Sequence, residues 1–189
     1  MPATRQRPVK LARLLILAAA ACLARPAGNL ASEPPPAQDR DKELGSIDGI
    51  ADRLYGVISG PAGPRDWDAF RKLFVPGARL IPTVRRNGEA PSARVLTVDE
   101  FADRAGANSL KEGFFEREIA RRVDRFGAIA HVFSTYESRH AKEDAKPFSR
   151  GINSIQLLDD GHRWWVVTIF WDAERPGTPL PSEYLPRQE

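Results

Sequence analysis

A tyrosine and an arginine face each other across two predicted strands, and they are the first candidates for chemistry. The stretch 114–139 alternates polar and apolar residues as two strands around a turn at residues 126–127. That turn sets Arg117 opposite Tyr136 and puts Ser134 on the same, more aliphatic face, which we expect to point inward. A guanidinium beside a phenol could orient a carboxylate or enolate oxygen. The alternative is that Arg117 is a surface strand residue.

The same register sets two carboxylates opposite each other, Glu116 and Glu137. Two close carboxylates raise one another's pKa, which suits acid–base chemistry. The alternative is a solvated face of the sheet.

A second hairpin is predicted over residues 150–172, because Asp160-Gly161 separates two β-rich runs. An Asp-Gly pair favours a two-residue turn. With that turn, the inner face carries the cross-strand pairs Leu157 with Trp164, Ile155 with Val166, Asn153 with Thr168, and Gly151 with Phe170.

This inner face is the predicted wall of a small-molecule pocket, since a few polar groups among apolar side chains are typical of such sites. The expected ligand-binding residues are Asn153, Thr168, Tyr136, Ser134, Trp164, Phe170 and Asp172, with Asp172 toward the mouth. Two alternatives stay open. Asn153 and Thr168 could be a satisfied cross-strand pair, and Asp172 could only pair with Arg175.

Other kinds of site find no support in the sequence. The three histidines, His131, His140 and His162, are too scattered to read as a metal set, and we expect no metal and no cofactor. There is no Gly-rich phosphate loop and no G-x-S-x-G elbow. Cys22, the one cysteine, precedes the predicted domain, which excludes disulfides and thiolate catalysis there.

The first residues are predicted to be an export signal. A basic segment over residues 1–13 precedes an apolar run from Leu14 to Ala24, which is too short for a stable transmembrane span. We expect a periplasmic or secreted protein, with a signal peptide and the start of a tether over residues 1–31. Cleavage could follow Ala24, Ala27 or Ala31. Alternatively, Cys22 could carry a lipid anchor.

The net charge of +3 does not indicate a nucleic-acid partner, because the basic leader contributes much of the excess. A disordered tether is expected over residues 32–45, rich in proline and charge. The folded domain is expected over residues 46–173, with a proline-rich tail over residues 174–189 and no regular structure there.

Three helices are predicted ahead of the long strands. Ser46 and Asp66 are the expected N-caps of the first two, and Asp99 opens the third. Residues 78–84 are expected to form a strand, with a hairpin signal at Asn87-Gly88. Helices followed by long antiparallel strands indicate an α+β fold.

The chain resembles the nuclear-transport-factor-2-like superfamily, also called SnoaL-like, over roughly residues 46–173. The resemblance rests on DWDAFRKLFVPGARL (residues 66–80), IAHVFSTYES (129–138) and the hairpin of residues 150–172. It implies a cone: a strongly curved antiparallel sheet wrapped around three N-terminal helices. Relatives resembling ketosteroid isomerase place an acid on the strand after the second helix. Residues 78–83, ARLIPT, have no carboxylate.

We therefore expect a domain that binds a small, mostly apolar molecule in the cone without chemistry of its own. One alternative is a lyase-, isomerase- or hydrolase-type enzyme using Tyr136, Asp172 and Arg117. Another is a structural or partner-binding domain whose cone is filled by its own side chains.

The opposite face of the second hairpin is expected to need cover, because it would expose two tryptophans and two β-branched residues. A homodimer through Trp165, Ile169 and Trp171 is the predicted cover. The alternative is the tail, with Leu180, Tyr184 and Leu185 lying over the tryptophans.

Overall fold

Side-chain caps set the starts of three α-helices in the described part of the chain. In the computed structural model, which describes residues 43–86 and 89–187, Ser46 and Asp66 cap the first two helices as predicted. The third begins one residue before Asp99, because Thr97 and Glu100 form a capping box. The helices are α1 (Ile47–Ile58), α2 (Trp67–Arg71) and α3 (Val98–Ser109).

The strands form one strongly curved sheet beside these helices. They are β1 (Phe74–Val84), β2 (Ser92–Ala93), β3 (Leu96–Thr97), β4 (Phe115–Phe126), β5 (Ile129–Arg139), β6 (Ser149–Asp159) and β7 (Trp164–Ala173). Their order is β2-β1-β7-β6-β5-β4, and β3 also pairs with β1. The predicted α+β cone is confirmed.

One pairing differs from the antiparallel sheet that we expected, because β1 runs parallel to β7. The chain between them includes α3 and three long strands, so it can return to lie alongside β1 in the same direction. Strand β1 also starts four residues before the predicted Ala78. The predicted Asn87-Gly88 hairpin signal lies outside the described residues.

The core fills the narrow end of the cone. Trp164 is 2% exposed there, and its backbone N–H donates to the Leu44 carbonyl at 2.8 Å. Val166, Ile155 and Phe70 pack in the same cluster. Each such side chain stabilises the fold by about 1.5–3 kcal/mol on burial. The predicted inward placement of Trp164 is confirmed.

The register predicted for the second hairpin was wrong. The turn spans residues 160–163, because the Asp160 carboxylate accepts hydrogen bonds from the backbone N–H groups of His162 and Arg163, both at 2.8 Å. A β-bulge between the pairs Leu157–Val166 and Gln156–Thr168 then adds one residue to β7. A one-residue shift moves every later side chain to the opposite face.

After this bulge, Ile169 and Trp171 point into the cone, whereas Thr168, Phe170 and Asp172 point outward. The predicted dimer surface was therefore wrong, because its three side chains, Trp165, Ile169 and Trp171, do not share one face. Ile169 and Trp171 point into the cone. The outer face instead carries Phe170, which is 44% exposed.

The register predicted for β4 and β5 was also wrong. The turn lies one residue later, so Phe126 pairs with Ile129, and a bulge lies between Glu118 and Ala120. Arg117 consequently pairs with Glu137, and Tyr136 pairs with Glu118.

The C-terminal tail lies on the outer face of the sheet, although not over the tryptophans. The Tyr184 ring packs against Phe133 at 5.0 Å, and Thr135 Oγ1 donates to the Tyr184 carbonyl at 2.6 Å. A short 3₁₀ helix, Ser182–Tyr184, corrects the expectation of a tail without regular structure. No helix in residues 43–86 and 89–187 is long and apolar enough to span a membrane.

Candidate functional site

A cavity of about 480 Å³ lies between the helices and the inner face of the sheet. Its walls are mainly apolar and come from all three helices, from β1 and β3, and from the inner face of β4, β5, β6 and β7. Its aromatic lining consists of Trp67, Phe70, Phe101, Phe114, Phe148 and Trp171 in addition to tyrosines, and Leu54 and Ile169 are among its aliphatic side chains. The bulge in β7 is what brings Ile169 and Trp171 to this wall.

A chain of hydrogen bonds runs from the cavity wall through Tyr55 into the sheet. Asn153 Nδ2 donates to Tyr55 Oη at 3.0 Å, and Tyr55 Oη lies 2.6 Å from Ser134 Oγ. Ser134 in turn donates to the Glu118 carboxylate, which also accepts from Arg121. Because the single hydroxyl proton of Ser134 goes to Glu118, the Tyr55 hydroxyl must donate to Ser134.

Burial raises the pKa of Tyr55 above the ordinary range of a phenol, against the lowering effect of its hydrogen bonds with Ser134 and Asn153. Tyr55 therefore stays a neutral phenol at physiological pH. In this series of hydrogen bonds, Tyr55 holds the Asn153 amide in one orientation at the cavity wall.

Glu116 lines the cavity in a different environment from Glu118, two residues away on the same face of β4. Burial raises the pKa of Glu116 to about 7, although hydrogen bonds with Ser138 and Asn153 act in the opposite direction. Ser138 Oγ donates to Glu116 Oε2 at 2.8 Å. No cation pairs with Glu116 among the described residues. This carboxyl can therefore hold or release a proton near neutral pH.

Tyr136 lines the cavity beside Glu116, and burial raises its pKa to about 12. Gly151 lies directly opposite Tyr136 in β6. A methyl group at Gly151 would lie 2.6 Å from Tyr136 Oη and 2.4 Å from the Asp172 carbonyl oxygen. The glycine is therefore needed to leave room for the tyrosine ring.

The mouth of the cavity is polar and carries both signs of charge. Arg94, Arg104 and Asn108 contribute to it from the β2–β3 region and from α3. Glu112 and His140 also line the cavity, and His140 Nδ1 is 3.5 Å from Glu112 Oε2.

Two of the predicted ligand-binding residues, Asn153 and Tyr136, line the cavity. Ser134 and Trp164 point inward as predicted, but they are 0% and 2% exposed and lie behind the wall.

The other predicted site residues lie outside the cone. The wrong hairpin register had placed Thr168 and Phe170 on the inner face, whereas both point outward. Asp172 pairs with Arg85 at 3.0 Å and with Arg175 at 3.0 Å, so the alternative of an ion pair at the strand end is the one that the structure shows.

Arg117 is on the outer face as well, where its Nε donates to Glu137 Oε1 at 2.6 Å. The predicted Tyr136–Arg117 pair is therefore wrong, and so is the Glu116–Glu137 pair, because the members of each pair lie on opposite faces. The bulge in β4 is the physical reason in both cases.

Sequence reasoning missed two groups of cavity residues. Tyr55 follows the helical spacing of the apolar face of α1, and this spacing could have placed it inside. Nothing in the sequence pattern indicates that Arg94 and Arg104 meet at one opening. Within the described residues, no three His, Cys, Asp or Glu side chains could together hold a metal ion.

Known structures with the same fold share little sequence with this chain. An NTF2-like protein of unknown function from Pseudomonas putida aligns with a TM-score of 0.53 at 10% identity, over 80% of this chain and 95% of that one. A protein of unknown function with a cystatin-like fold from Nostoc punctiforme aligns with a TM-score of 0.52 at 12% identity. The alignment covers 71% of this chain and 92% of that one.

A protein of unknown function from Mycobacterium tuberculosis gives a TM-score of 0.53 at 13% identity, over 68% of this chain and 74% of that one. No protein-family model matches the sequence, and no curated protein matches it. At these identities the likeness shows the fold alone.

Proposed function

Because the chain has the fold of NTF2-like proteins, we propose that it binds a small, mostly apolar organic molecule inside the cone. The observation that carries the proposal is the cavity of about 480 Å³ with aromatic and aliphatic walls. Its volume lies within the range of roughly 300–1,000 Å³ of small-molecule sites. A cone filled by its own side chains would leave no such volume, so the cavity favours binding over a purely structural role.

The ligand has a polar group that meets the inner polar end of the cavity. Tyr136 offers a neutral hydroxyl there, and the Asn153 amide is held in place by Tyr55. A carbonyl or hydroxyl group would add a hydrogen bond to these two side chains, which already have partners within the protein.

The test is native mass spectrometry of the purified full chain, together with solvent extraction and identification of what it carries. Ala105 lines the cavity on α3, so Ala105→Trp should occupy part of the space and reduce the co-purifying mass. Gln156→Trp adds the same side chain on the exposed outer face and is the matched control. A ligand carried equally by both variants would contradict binding in the cone.

A second candidate function is acid–base catalysis on the same ligand, and Glu116 is the observation that favours it. A carboxyl whose pKa is raised to about 7 can exchange a proton with a bound molecule at neutral pH. The earlier candidates Asp172 and Arg117 do not support this function, because both lie outside the cone. Glu116 and Tyr136 both line the cavity and are the pair to which this candidate function assigns the proton transfer.

Deuterium incorporation separates the two candidates. The extracted ligand is incubated in D₂O with the full chain and with Glu116→Gln. Catalysis predicts that deuterium becomes bound to carbon, stays there when the ligand is returned to H₂O, and depends on Glu116. If the ligand mass stays unchanged with the wild-type chain, proton transfer is excluded and the binding function remains.

A further inference from the structure

Two arginines flank the mouth of the cavity and come from separate elements. Arg94 follows β2, where its backbone N–H donates to the Pro82 carbonyl at 3.1 Å. Arg104 lies in the second half of α3. Both residues are exposed, and both line the cavity.

Neither guanidinium has a hydrogen bond or an ion pair within residues 43–86 and 89–187. This differs from arginines elsewhere on the sheet, such as Arg150, which pairs with Glu174 at 2.8 Å. The carboxylate that both mouth arginines influence is Glu100. Its Oε2 already accepts from the Thr97 backbone N–H at 2.8 Å, as part of the cap of α3.

The remaining charges at the mouth do not neutralise the arginines. Glu112 lies 3.5 Å from His140, and the His140 ring stacks on Phe148 with centroids 4.2 Å apart. The mouth therefore has two donor groups of positive charge and an apolar space directly behind them.

We infer that the ligand is an organic anion, with its apolar body in the cone and its anionic oxygens held between Arg94 and Arg104. A guanidinium presents paired N–H donors that match a carboxylate, sulfonate or phosphate group. This inference rests on the proposed function, because it names the chemical class of the molecule in the same cavity.

The inner end of the cavity fixes the orientation of such a ligand. Glu116 lies there without a cation, and burial already disfavours its charged form. A second negative charge at that end would be both desolvated and repelled. The anionic group is therefore held at the mouth, and an uncharged polar group reaches Tyr136 and Asn153.

Two fluorescent probes with one skeleton test the inference, namely the anion anilinonaphthalene sulfonate and its uncharged parent phenylnaphthylamine. Each is titrated into the purified full chain, into the double variant Arg94→Gln/Arg104→Gln and into the control Arg187→Gln, which removes an exposed charge in the tail. We expect the double variant to bind the sulfonate about tenfold more weakly, since each exposed ion pair contributes a factor of a few. Its affinity for the uncharged parent should change less than about twofold.

Added salt should weaken sulfonate binding to the wild-type chain and to Arg187→Gln, but much less to the double variant, because screening acts on the lost charges. Equal affinity of wild type and double variant for the sulfonate would overturn the inference.

The Ala105→Trp variant separates failure of this inference from failure of the proposed function. If Ala105→Trp abolishes binding of the uncharged parent and the arginine changes leave the sulfonate unaffected, the cone binds ligands but does not select anions. If Ala105→Trp affects neither probe, both bind outside the cone, and the proposed function fails together with the inference.

Discussion

Two glutamates on one face of β4 show how strongly the immediate surroundings decide the behaviour of a residue. Glu118 accepts hydrogen bonds from Ser134 and Arg121, and Arg121 continues to Asp48 at 2.7 Å. Glu116 has only the uncharged donors Ser138 and Asn153, and its pKa rises to about 7. The sequence offers no sign of this difference, because it depends on which side chains the neighbouring strands bring alongside.

The raised pKa of Glu116 predicts that the free energy of unfolding falls as the pH rises. Its ordinary value is 4.5, so between 4.5 and about 7 the folded chain binds more protons than the unfolded chain. The contribution of Glu116 to the free energy of unfolding is fully present below its ordinary pKa of 4.5 and is lost as the pH rises through about 7. The full shift corresponds to about 3 kcal/mol, and contact with the open cavity reduces it to about 1–3 kcal/mol.

Glu116→Gln is uncharged at every pH and should remove this dependence. The free energy of unfolding of both chains is measured with denaturant at about pH 4.5 and about pH 8. We expect the variant to be more stable than wild type at the higher pH only. The exposed substitution Glu143→Gln serves as control. If the difference in stability between wild type and Glu116→Gln is the same at both pH values, the pKa of the Glu116 carboxyl is not raised.

Two glycine substitutions should have opposite effects on stability. Gly151→Ala places a methyl group 2.4 Å from the Asp172 carbonyl oxygen, in a paired strand that cannot move aside, and should cost about 2 kcal/mol or more. Gly56→Ala in α1 meets nothing within 4 Å and should add about 0.5 kcal/mol through helix propensity. Thermal unfolding compares the two variants with wild type. Similar losses in both would argue against the close packing of Tyr136 on Gly151.

At the scale of elements, the sequence predicts where most helices and strands lie but not how the long strands align. Caps such as Ser46 and Asp66 act within a few residues, so local sequence is enough to place α1 and α2. The bulges in β4 and β7 depend on pairing between strands, and a single extra residue exchanges the two faces. For this reason half of the predicted site residues lie outside the cone, namely Arg117, Thr168, Phe170 and Asp172.

The bulge in β7 predicts that neighbouring residues tolerate charge very differently. Ile169 is 6% exposed inside the cone, whereas Phe170 is 44% exposed on the outer face. Ile169→Lys buries an unpaired charge and should cost about 4 kcal/mol or more, while Phe170→Lys should stay within about 1 kcal/mol of wild type. The regular two-residue turn predicts the reverse order, so unfolding in urea distinguishes the two registers.

At the scale of the whole molecule, the order of helices and long strands predicted an α+β fold. The cone and its hollow were implied by the resemblance to the nuclear-transport-factor-2-like superfamily. The sequence could not predict the chemistry of the cavity mouth. Arg94 and Arg104 come from segments whose meeting depends on how α3 packs against β1.

Export remains a prediction about residues outside the described part of the chain. Intact mass of the protein made in its native host should show loss of the leader after Ala24, Ala27 or Ala31. A mass that includes a diacylglycerol on Cys22 would support the lipid-anchored alternative instead. An unprocessed chain with its full N-terminus would contradict export through this signal.

The four tryptophans offer the most direct test that the cone receives a ligand. Trp67 and Trp171 line the cavity, Trp164 lies in the core behind it, and the Trp165 indole donates to Asp160 Oδ2 at 2.7 Å on the outside. Nuclear magnetic resonance of the indole N–H groups is recorded while phenylnaphthylamine is added to the full chain. We predict that the signals of Trp67 and Trp171 shift and that those of Trp164 and Trp165 stay in place. A shift of Trp165 alone, or of none of the four, would contradict binding inside the cone.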